Sequence, residues 1–151
     1  MTEIGFYHLT RSPLEVALPR LLEKVLGAGL RAVVRAGSPE RVEFLNAALW
    51  TYDPASFLSH GTAREGEAAS QPIWLTAGED GPNAAQVLVL TDGVTAGDVA
   101  DFERCLELFD GRDADAVEAA RRRWLAYREA GHTLTYWQQT PRGGWEQKAL
   151  G

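Results

Sequence analysis

Strand-like apolar runs alternate with helical patterns along this sequence, and this order limits the folds that are open to the chain. The first run is Ile4–Leu9, and apolar residues spaced three and four apart follow it in 13–29. Arg31–Ala36 and a helix from Pro39 through Trp50 repeat the pair. Because such alternation favours parallel strands covered by helices, we predict a three-layer α/β domain with a mostly parallel sheet and helices on both faces.

The rest of the chain adds further strand-like and helical segments. The additional predicted strands are Gln71–Thr76, Gln86–Thr91 and Cys105–Asp110. The additional predicted helices are 98–105 and Asp113–Ala130. After Gly131, the segments TLTYWQQ and GWEQKAL indicate a terminal strand followed by a tail, or a hairpin. A chain of 151 residues without internal repeats is expected to form one domain, 1–151.

The charge balance argues against direct binding of nucleic acid. The net charge of −6 creates a field that repels phosphates. The run Arg121–Arg123 is a basic patch that goes against this trend. Tryptophans and arginines together suit stacking on single strands, but the acidic total disfavours that role. We therefore expect contact with DNA to be indirect only.

Targeting, membrane and metal signals are weak or missing from the sequence. No apolar run approaches the roughly 20 residues of a membrane helix. The start MTEIGFYHLT has an acid and no basic region, which is unlike a secretory signal, so we expect a cytoplasmic protein without membrane contact. The single cysteine, Cys105, excludes an internal disulfide and, with three scattered histidines, a Cys/His zinc cluster. We expect it to be a buried, reduced thiol.

Two loop segments resemble ligand-binding motifs but lack the sequence context that those motifs require. Gly27, Gly29 and Ala32 satisfy G-x-G-x-x-A, but these glycines end a helix and precede a strand, so we interpret them as a helix cap. No G-x-x-x-x-G-K-[ST] motif supports ATP hydrolysis. Asp110–Asp115 has the acid content of a calcium loop, but Arg112 occupies a ligand position. This segment is better interpreted as a turn and a helix N-cap.

The connection LWTYDPASFLSHG, Leu49–Gly61, is rich in aromatic residues and raises the question of a catalytic His60. Neither Ser56 nor Ser59 lies in a G-x-S-x-G elbow. Adjacent residues of an extended segment point to opposite faces, so the neighbours Ser59 and His60 do not form a catalytic pair. A structural or solvent-exposed role for His60 is favoured.

The long predicted helix carries a stripe that combines apolar and basic side chains. Val117, Arg121, Trp124 and Arg128 follow spacings of four, three and four, which places them on one side of the helix. An aromatic ring flanked by guanidinium groups suits a ligand that is partly apolar and partly anionic. Alternatively, the tryptophan fills the core and the arginine stems cover it. Helix geometry alone leaves both roles open and slightly favours packing.

Several of these segments together resemble one protein family. The connection Leu49–Gly61, the QPIWL that follows it, the helix AARRRWLAYREAG and the threonine-rich strand after it are similar to the chi subunit of bacterial DNA polymerase III. FYHL near the start fits as well, and the similarity covers essentially the whole chain. The resemblance implies a non-catalytic accessory subunit of the clamp-loader assembly, with a Rossmann-like fold that holds no nucleotide.

The same resemblance implies two protein partners. In this family chi pairs with the psi subunit and binds the acidic C-terminal tail of the single-stranded-DNA-binding protein, which ends in a phenylalanine carboxylate. Trp50 and Phe57 match the family's aromatic residues around the end of a helix and the following turn. The connection Leu49–Gly61 is therefore expected to form one wall of a peptide pocket, facing the basic stripe of the long helix.

The long helix supplies the other residues that the resemblance assigns. Arg121 matches a basic residue of the tail-binding helix, and Trp124 stands where an aromatic residue, often tyrosine, is found. Val117 occupies a position that can be lysine, so Arg122 or Arg128 would replace that basic contact. A cationic rim suits an acidic tail, and an apolar floor suits its terminal phenylalanine. The expected peptide site is Trp50, Phe57, Val117, Arg121, Trp124 and Arg128.

A different class of function remains as the alternative. A Rossmann-like sheet also suits an enzyme that binds a nucleotide or another small ligand. Such an enzyme needs acid, base or nucleophilic groups that converge in a cleft, and the sequence does not assemble them. We therefore predict an interaction subunit, with no catalytic residue, cofactor or metal assigned.

Overall fold

The structure is a computed structural model that describes residues 2–51, 60–62, 72–78, 84–142 and 144–148. The β-strands of these residues are β1 (Glu3–Leu9), β2 (Ala32–Arg35), β3 (His60–Thr62), β4 (Ile73–Thr76), β5 (Val87–Leu90), β6 (Arg104–Asp110), β7 (Thr133–Gln139) and β8 (Trp145–Lys148). The α-helices are α1 (Leu14–Gly27), α2 (Pro39–Thr51) and α3 (Ala114–Glu129). A 3₁₀ turn covers Val99–Asp101.

The strands form one sheet in the order β3-β4-β2-β5-β6-β1-β7-β8. Every neighbouring pair is parallel except β7 and β8, which form an antiparallel hairpin. The predicted mostly parallel sheet is therefore confirmed, and β7 and β8 form the hairpin of the two alternatives. β1 lies between β6 and β7, although both follow it by about a hundred residues or more.

Helices cover both faces of this sheet. Leu22 of α1 and Leu45 of α2 pack with Val34 in one buried cluster. Ala120 of α3 packs with Phe6 and Val33 in a second cluster. Because Val33 and Val34 are consecutive in β2 and point to opposite faces, the two clusters lie on opposite sides of the sheet. The predicted three-layer α/β architecture is confirmed.

A polar residue begins one helix and a glycine follows the end of another, as expected. The Asp113 carboxylate caps α3 by accepting the amides of Asp115 at 3.0 Å and Ala116 at 3.4 Å. Gly29 follows α1 with φ of +77°, a left-handed conformation that glycine adopts without a steric penalty. The interpretation of both segments as helix caps is confirmed.

The helix predicted at 98–105 is wrong. Only the 3₁₀ turn forms, Phe102 is already extended, and β6 begins at Arg104. Cys105 is fully buried and pairs with strands on both sides, so the sheet determines the conformation here rather than the local pattern. The hydroxyl of Thr2 donates to the carbonyls of Val99 and Phe102, at 3.0 and 2.9 Å, and stabilises the turn.

Candidate functional site

A groove of about 340 Å³ lies between α3 and the three strands beneath it, β1, β6 and β7. Four of its side chains are the predicted stripe of α3: Val117, Arg121, Trp124 and Arg128. The sheet contributes Phe6, His8, Phe109 and Tyr136. We call these eight residues, with Ala120 and Leu125 of α3, the aromatic groove.

The floor of the groove is a set of packed aromatic rings. Trp124 meets Phe6 edge-on, with ring centroids 5.2 Å apart, and meets Tyr136 at 6.3 Å. Phe6 itself is fully buried, whereas Trp124 and Tyr136 are half-buried. Both interpretations of the tryptophan therefore hold in part, because its ring packs on the core and also lines an open groove.

The rim of the groove carries both cationic and apolar side chains. Arg121 and Arg128 are exposed, and Leu125 adds an apolar side chain that is 57% exposed. The Arg121 guanidinium lies 4.0 Å from the Glu118 carboxylate, with 75% of the arginine side chain exposed. An exposed pair of this length is worth little, so it does not prevent Arg121 from binding another carboxylate.

The charge of Arg121 affects the pKa values of two side chains in the floor of the groove. The pKa of Tyr136 is raised by burial, and the charge of Arg121 partly opposes that rise. The pKa of His8 is lowered, mainly by burial and also by Arg121. The groove therefore combines a neutral aromatic floor with a positive charge at its edge, which suits a ligand that ends in an apolar group and a carboxylate.

The basic patch Arg121–Arg123 is not continuous. Arg123 is 11% exposed and lies 3.0 Å from the Glu107 carboxylate, which is 1% exposed. The hydroxyl of Tyr127 donates to the same carboxylate at 2.9 Å. Arg123 therefore belongs to a buried structural network between α3 and β6 rather than to a ligand-binding surface. Arg122 is 76% exposed but does not line the groove.

Leu49, at the start of the connection Leu49–Gly61, packs on the side of the sheet opposite to the basic stripe, and residues 52–59 lie outside the described residues. Trp50 lies near the end of α2, and Leu45 and Leu49 of that helix pack in the cluster on the α1 side of the sheet. Trp124 packs on the opposite side. Phe57 lies outside the described residues, and His60 begins β3 at the far end of the sheet from β7.

Four groove residues on the sheet were not predicted as site residues. Phe6 and His8 are two apart in β1 and share one face, which a strand pattern does reveal. Phe109 pairs with His8, and Tyr136 pairs with Phe6, in the parallel registers of β6 and β7. The sequence pattern gives no sign that these two late strands flank β1, so the aromatic floor could not be assembled from it.

A second cavity, of about 510 Å³, lies at the carboxyl ends of β1 and β6, where parallel sheets commonly bind ligands. Its lining mixes acidic and basic side chains. Each of its arginines is paired with a carboxylate: Arg41 with Asp92, Arg112 with Asp110, and Arg123 with Glu107. The lining holds five carboxylates, of Glu15, Asp92, Asp110, Asp113 and Asp115, against these three arginines, so the cavity is poorly suited to a phosphate group.

The described residues give little support for a metal site or a reactive thiol. Within them, no grouping of three or more His, Cys, Asp or Glu side chains is arranged to hold a metal ion. Cys105 is buried and free, and burial raises the pKa of its thiol, so the predicted buried thiol is confirmed. No helix of the described part combines the length and apolar character needed to cross a membrane.

Comparison with known proteins identifies the family. Residues 1–135 match the family described as DNA polymerase III chi subunit, HolC. A probable DNA polymerase III subunit chi of Rickettsia prowazekii is 28% identical over 109 residues, which cover 72% of this chain and 66% of that protein. The DNA polymerase III subunit chi of Pseudomonas aeruginosa is 30% identical over 138 residues, covering 89% and 94%. The chain therefore belongs to the family of DNA polymerase III chi subunits.

Proposed function

We propose that this chi-family chain is a non-catalytic accessory subunit that binds the acidic C-terminal tail of the single-stranded-DNA-binding protein in the aromatic groove. Through the psi subunit it links that protein to the clamp loader during replication in the cytoplasm, so its contact with DNA is indirect. The observation that carries the proposal is the position of Arg121 beside the aromatic floor formed by Phe6, Trp124 and Tyr136.

The terminal residue of the tail fits the composition of the groove. A phenylalanine ring gains free energy from apolar burial and from edge-on contacts with rings such as Trp124 and Tyr136. Its carboxylate accepts a charge-assisted hydrogen bond from Arg121, since the guanidinium lies at the edge of the same floor. One residue of the ligand thus uses both properties of the site.

The remaining tail carboxylates have a path along α3. Arg121 and Arg128 are seven residues apart on the helix, which corresponds to a rise of about 10 Å along its axis. This distance accommodates a short extended peptide with acidic residues upstream of its terminal phenylalanine. Val117 is apolar at the position that can be lysine, so Arg121 and Arg128 are assigned the cationic contacts and Arg122 is not.

The alternative, an enzyme that binds a nucleotide or small ligand, would use the cavity at the carboxyl ends of β1 and β6. The excess of carboxylates over arginines in that cavity argues against a phosphate site, and its described lining includes no cysteine, histidine or lysine. The aromatic groove supports the interaction role because its exposed cations lie next to apolar surface.

The proposal is tested with a labelled Asp-Asp-Ile-Pro-Phe peptide titrated into the purified chain. Two altered peptides serve as controls, one without the terminal phenylalanine and one with its carboxylate converted to an amide. We expect each change to weaken binding by about tenfold or more, because the first empties the floor and the second removes the partner of Arg121. Equal affinity for all three peptides would reject the groove as the site of the tail's terminal residue.

A further inference from the structure

A histidine forms part of the floor of the aromatic groove. His8 lies near the end of β1, two residues after Phe6, so both side chains point toward α3. Its imidazole packs against the Phe109 ring with centroids 4.9 Å apart, and the Tyr136 ring meets it edge-on at 5.7 Å. The imidazole is therefore held between two strands and faces the place where the tail would bind.

The turn after β6 is shaped around this imidazole. A Cβ atom at position 111 would overlap the Cδ2–Nε2 edge of the His8 ring, so Gly111 makes the necessary space. The Gly111 amide donates to the Leu9 carbonyl at 2.7 Å, which fixes the turn against β1. The Gly111 backbone lies against the ring and raises the pKa of the imidazole. The position of the ring is thus determined by packing and hydrogen bonds on three sides.

Titratable and charged groups face His8 from every element around it. The Tyr136 hydroxyl on β7 shares a hydrogen bond with Nδ1 of His8. Burial is the main cause that lowers the pKa of His8; Arg121 on α3 lowers it further, while the Gly111 backbone and Asp110 at the end of β6 oppose this. In the empty groove at neutral pH the imidazole is therefore neutral, and Nδ1 accepts the tyrosine hydroxyl.

We propose that His8 and Tyr136 together form a proton-coupled hydrogen-bond donor for a carboxylate in the aromatic groove. In the neutral pair the Tyr136 hydroxyl hydrogen is directed to Nδ1 of His8. When His8 takes up a proton, Nδ1–H donates to the tyrosine oxygen instead, and the hydroxyl hydrogen is released to a carboxylate of the ligand. The proposal deepens the tail-binding function and rests on it.

The direction of the pH effect follows from the charges. A bound carboxylate offsets the Arg121 charge that disfavours protonated His8, so the pKa of His8 is higher in the complex than in the empty groove. Binding then takes up a proton, and affinity falls as pH rises through the pKa of the complex. We expect binding to be about three- to tenfold tighter at pH of about 5.5 than at pH of about 8. The tail carboxylates, with ordinary pKa values near 4, stay ionised above pH of about 5.5.

The test measures affinity for the labelled Asp-Asp-Ile-Pro-Phe peptide between pH of about 5.5 and 8, the range in which histidine titrates, at constant ionic strength. His8→Asn keeps an acceptor for the tyrosine hydroxyl but does not titrate, and Tyr136→Phe removes the donor. His132→Asn is the control, because His132 accepts the Thr2 amide at 3.2 Å and does not line the groove. We expect the ratio of affinities across this range to be about three- to tenfold in the unmodified chain and in His132→Asn, and below about twofold in His8→Asn. Tyr136→Phe keeps the titrating imidazole but loses the hydroxyl donor, so we expect it to weaken binding more at low pH than at high pH and to show a smaller ratio than the unmodified chain.

Each outcome decides the matter. Peptide binding with an affinity that does not change with pH, or an unaltered pH dependence in His8→Asn, overturns the role of His8 and leaves tail binding intact. No peptide binding at any pH overturns both proposals. Calorimetry of the unmodified chain in PIPES and in bis-Tris measures proton uptake on peptide binding directly. Because this measurement needs no variant, it tests the proposal even if a substituted chain does not fold. Proton uptake on binding supports the pair, and its absence contradicts it.

Discussion

Nε of Arg123 lies 3.0 Å from Oε2 of Glu107, and the two side chains are 11% and 1% exposed. Tyr127 donates its hydroxyl to the same carboxylate at 2.9 Å. Glu107 belongs to β6 and the other two residues to α3, so this network holds the helix of the groove's rim against the sheet of its floor. Burial of the carboxylate makes the network costly to break from one side.

Removing the arginine should destabilise the protein strongly. Arg123→Ala leaves the Glu107 carboxylate buried with only Tyr127 as a described side-chain partner, so we expect the free energy of unfolding to fall by about 3–5 kcal/mol. Arg122→Ala is the matched control, because the neighbouring side chain is exposed, and its expected change is below about 0.5 kcal/mol. Urea unfolding of both variants measures the difference. Similar, small losses in the two variants would show that the buried pair does not hold α3 in place.

The same carboxylate should give stability a specific pH dependence. Burial raises the pKa of Glu107 above its ordinary value of 4.5, and Arg123 opposes this rise. The folded chain thus holds this proton more tightly than the unfolded chain, so the contribution is complete below the ordinary pKa and is lost as pH rises through the folded pKa. We expect Glu107→Gln to remove that loss and Arg123→Ala to enlarge it. Unfolding free energies measured on either side of the ordinary pKa check both; identical slopes in all three proteins contradict the prediction.

Trp124 should contribute to both stability and binding. Its ring packs edge-on against Phe6 and Tyr136 while also lining the groove, so Trp124→Ala should cost about 2–4 kcal/mol of stability and most of the tail affinity. Trp124→Tyr keeps a ring at this position and should recover most of both. Denaturant unfolding and peptide titration of the two variants provide the comparison. Tail binding by folded Trp124→Ala at full affinity would remove the ring from the site.

A carboxylate placed at the rim should repel the tail. Leu125 is 57% exposed at the edge of the groove, so Leu125→Glu puts a negative charge where acidic residues of the peptide would lie. We expect about fivefold or greater loss of affinity at low salt, decreasing as salt rises. Val16→Glu introduces the same charge on α1, across the sheet, and should have little effect. Equal losses in the two variants would indicate a net-charge effect rather than a local site.

The fold was largely predictable because long-range geometry follows from local patterns in a parallel α/β sheet. Apolar runs mark β2, β4 and β5, Gly29 marks the end of α1, and Asp113 marks the start of α3. The error at 98–105 occurred where pairing of Cys105 with two neighbouring strands outweighed a helical pattern. Periodicity does not report such pairings.

The candidate site was predicted in part, for a related reason. Helical spacing placed Val117, Arg121, Trp124 and Arg128 together, because that relationship is local to α3. The run Arg121–Arg123 does not reveal in the sequence that Arg123 is paired with a buried carboxylate, because its partner Glu107 on β6 is distant in sequence. Nor could helical spacing reveal that α2 covers the face of the sheet opposite to α3.

The most direct test of the account compares Arg121→Ala with Arg122→Ala in titrations of the labelled Asp-Asp-Ile-Pro-Phe peptide. The two arginines are adjacent, 75% and 76% exposed, and each lies about 4 Å from Glu118, but only Arg121 lines the aromatic groove. We expect a loss of about 1.5–3 kcal/mol of binding free energy for Arg121→Ala and nearly unchanged binding for Arg122→Ala. Equal losses in the two variants, or none in Arg121→Ala, would contradict the groove as the tail-binding site.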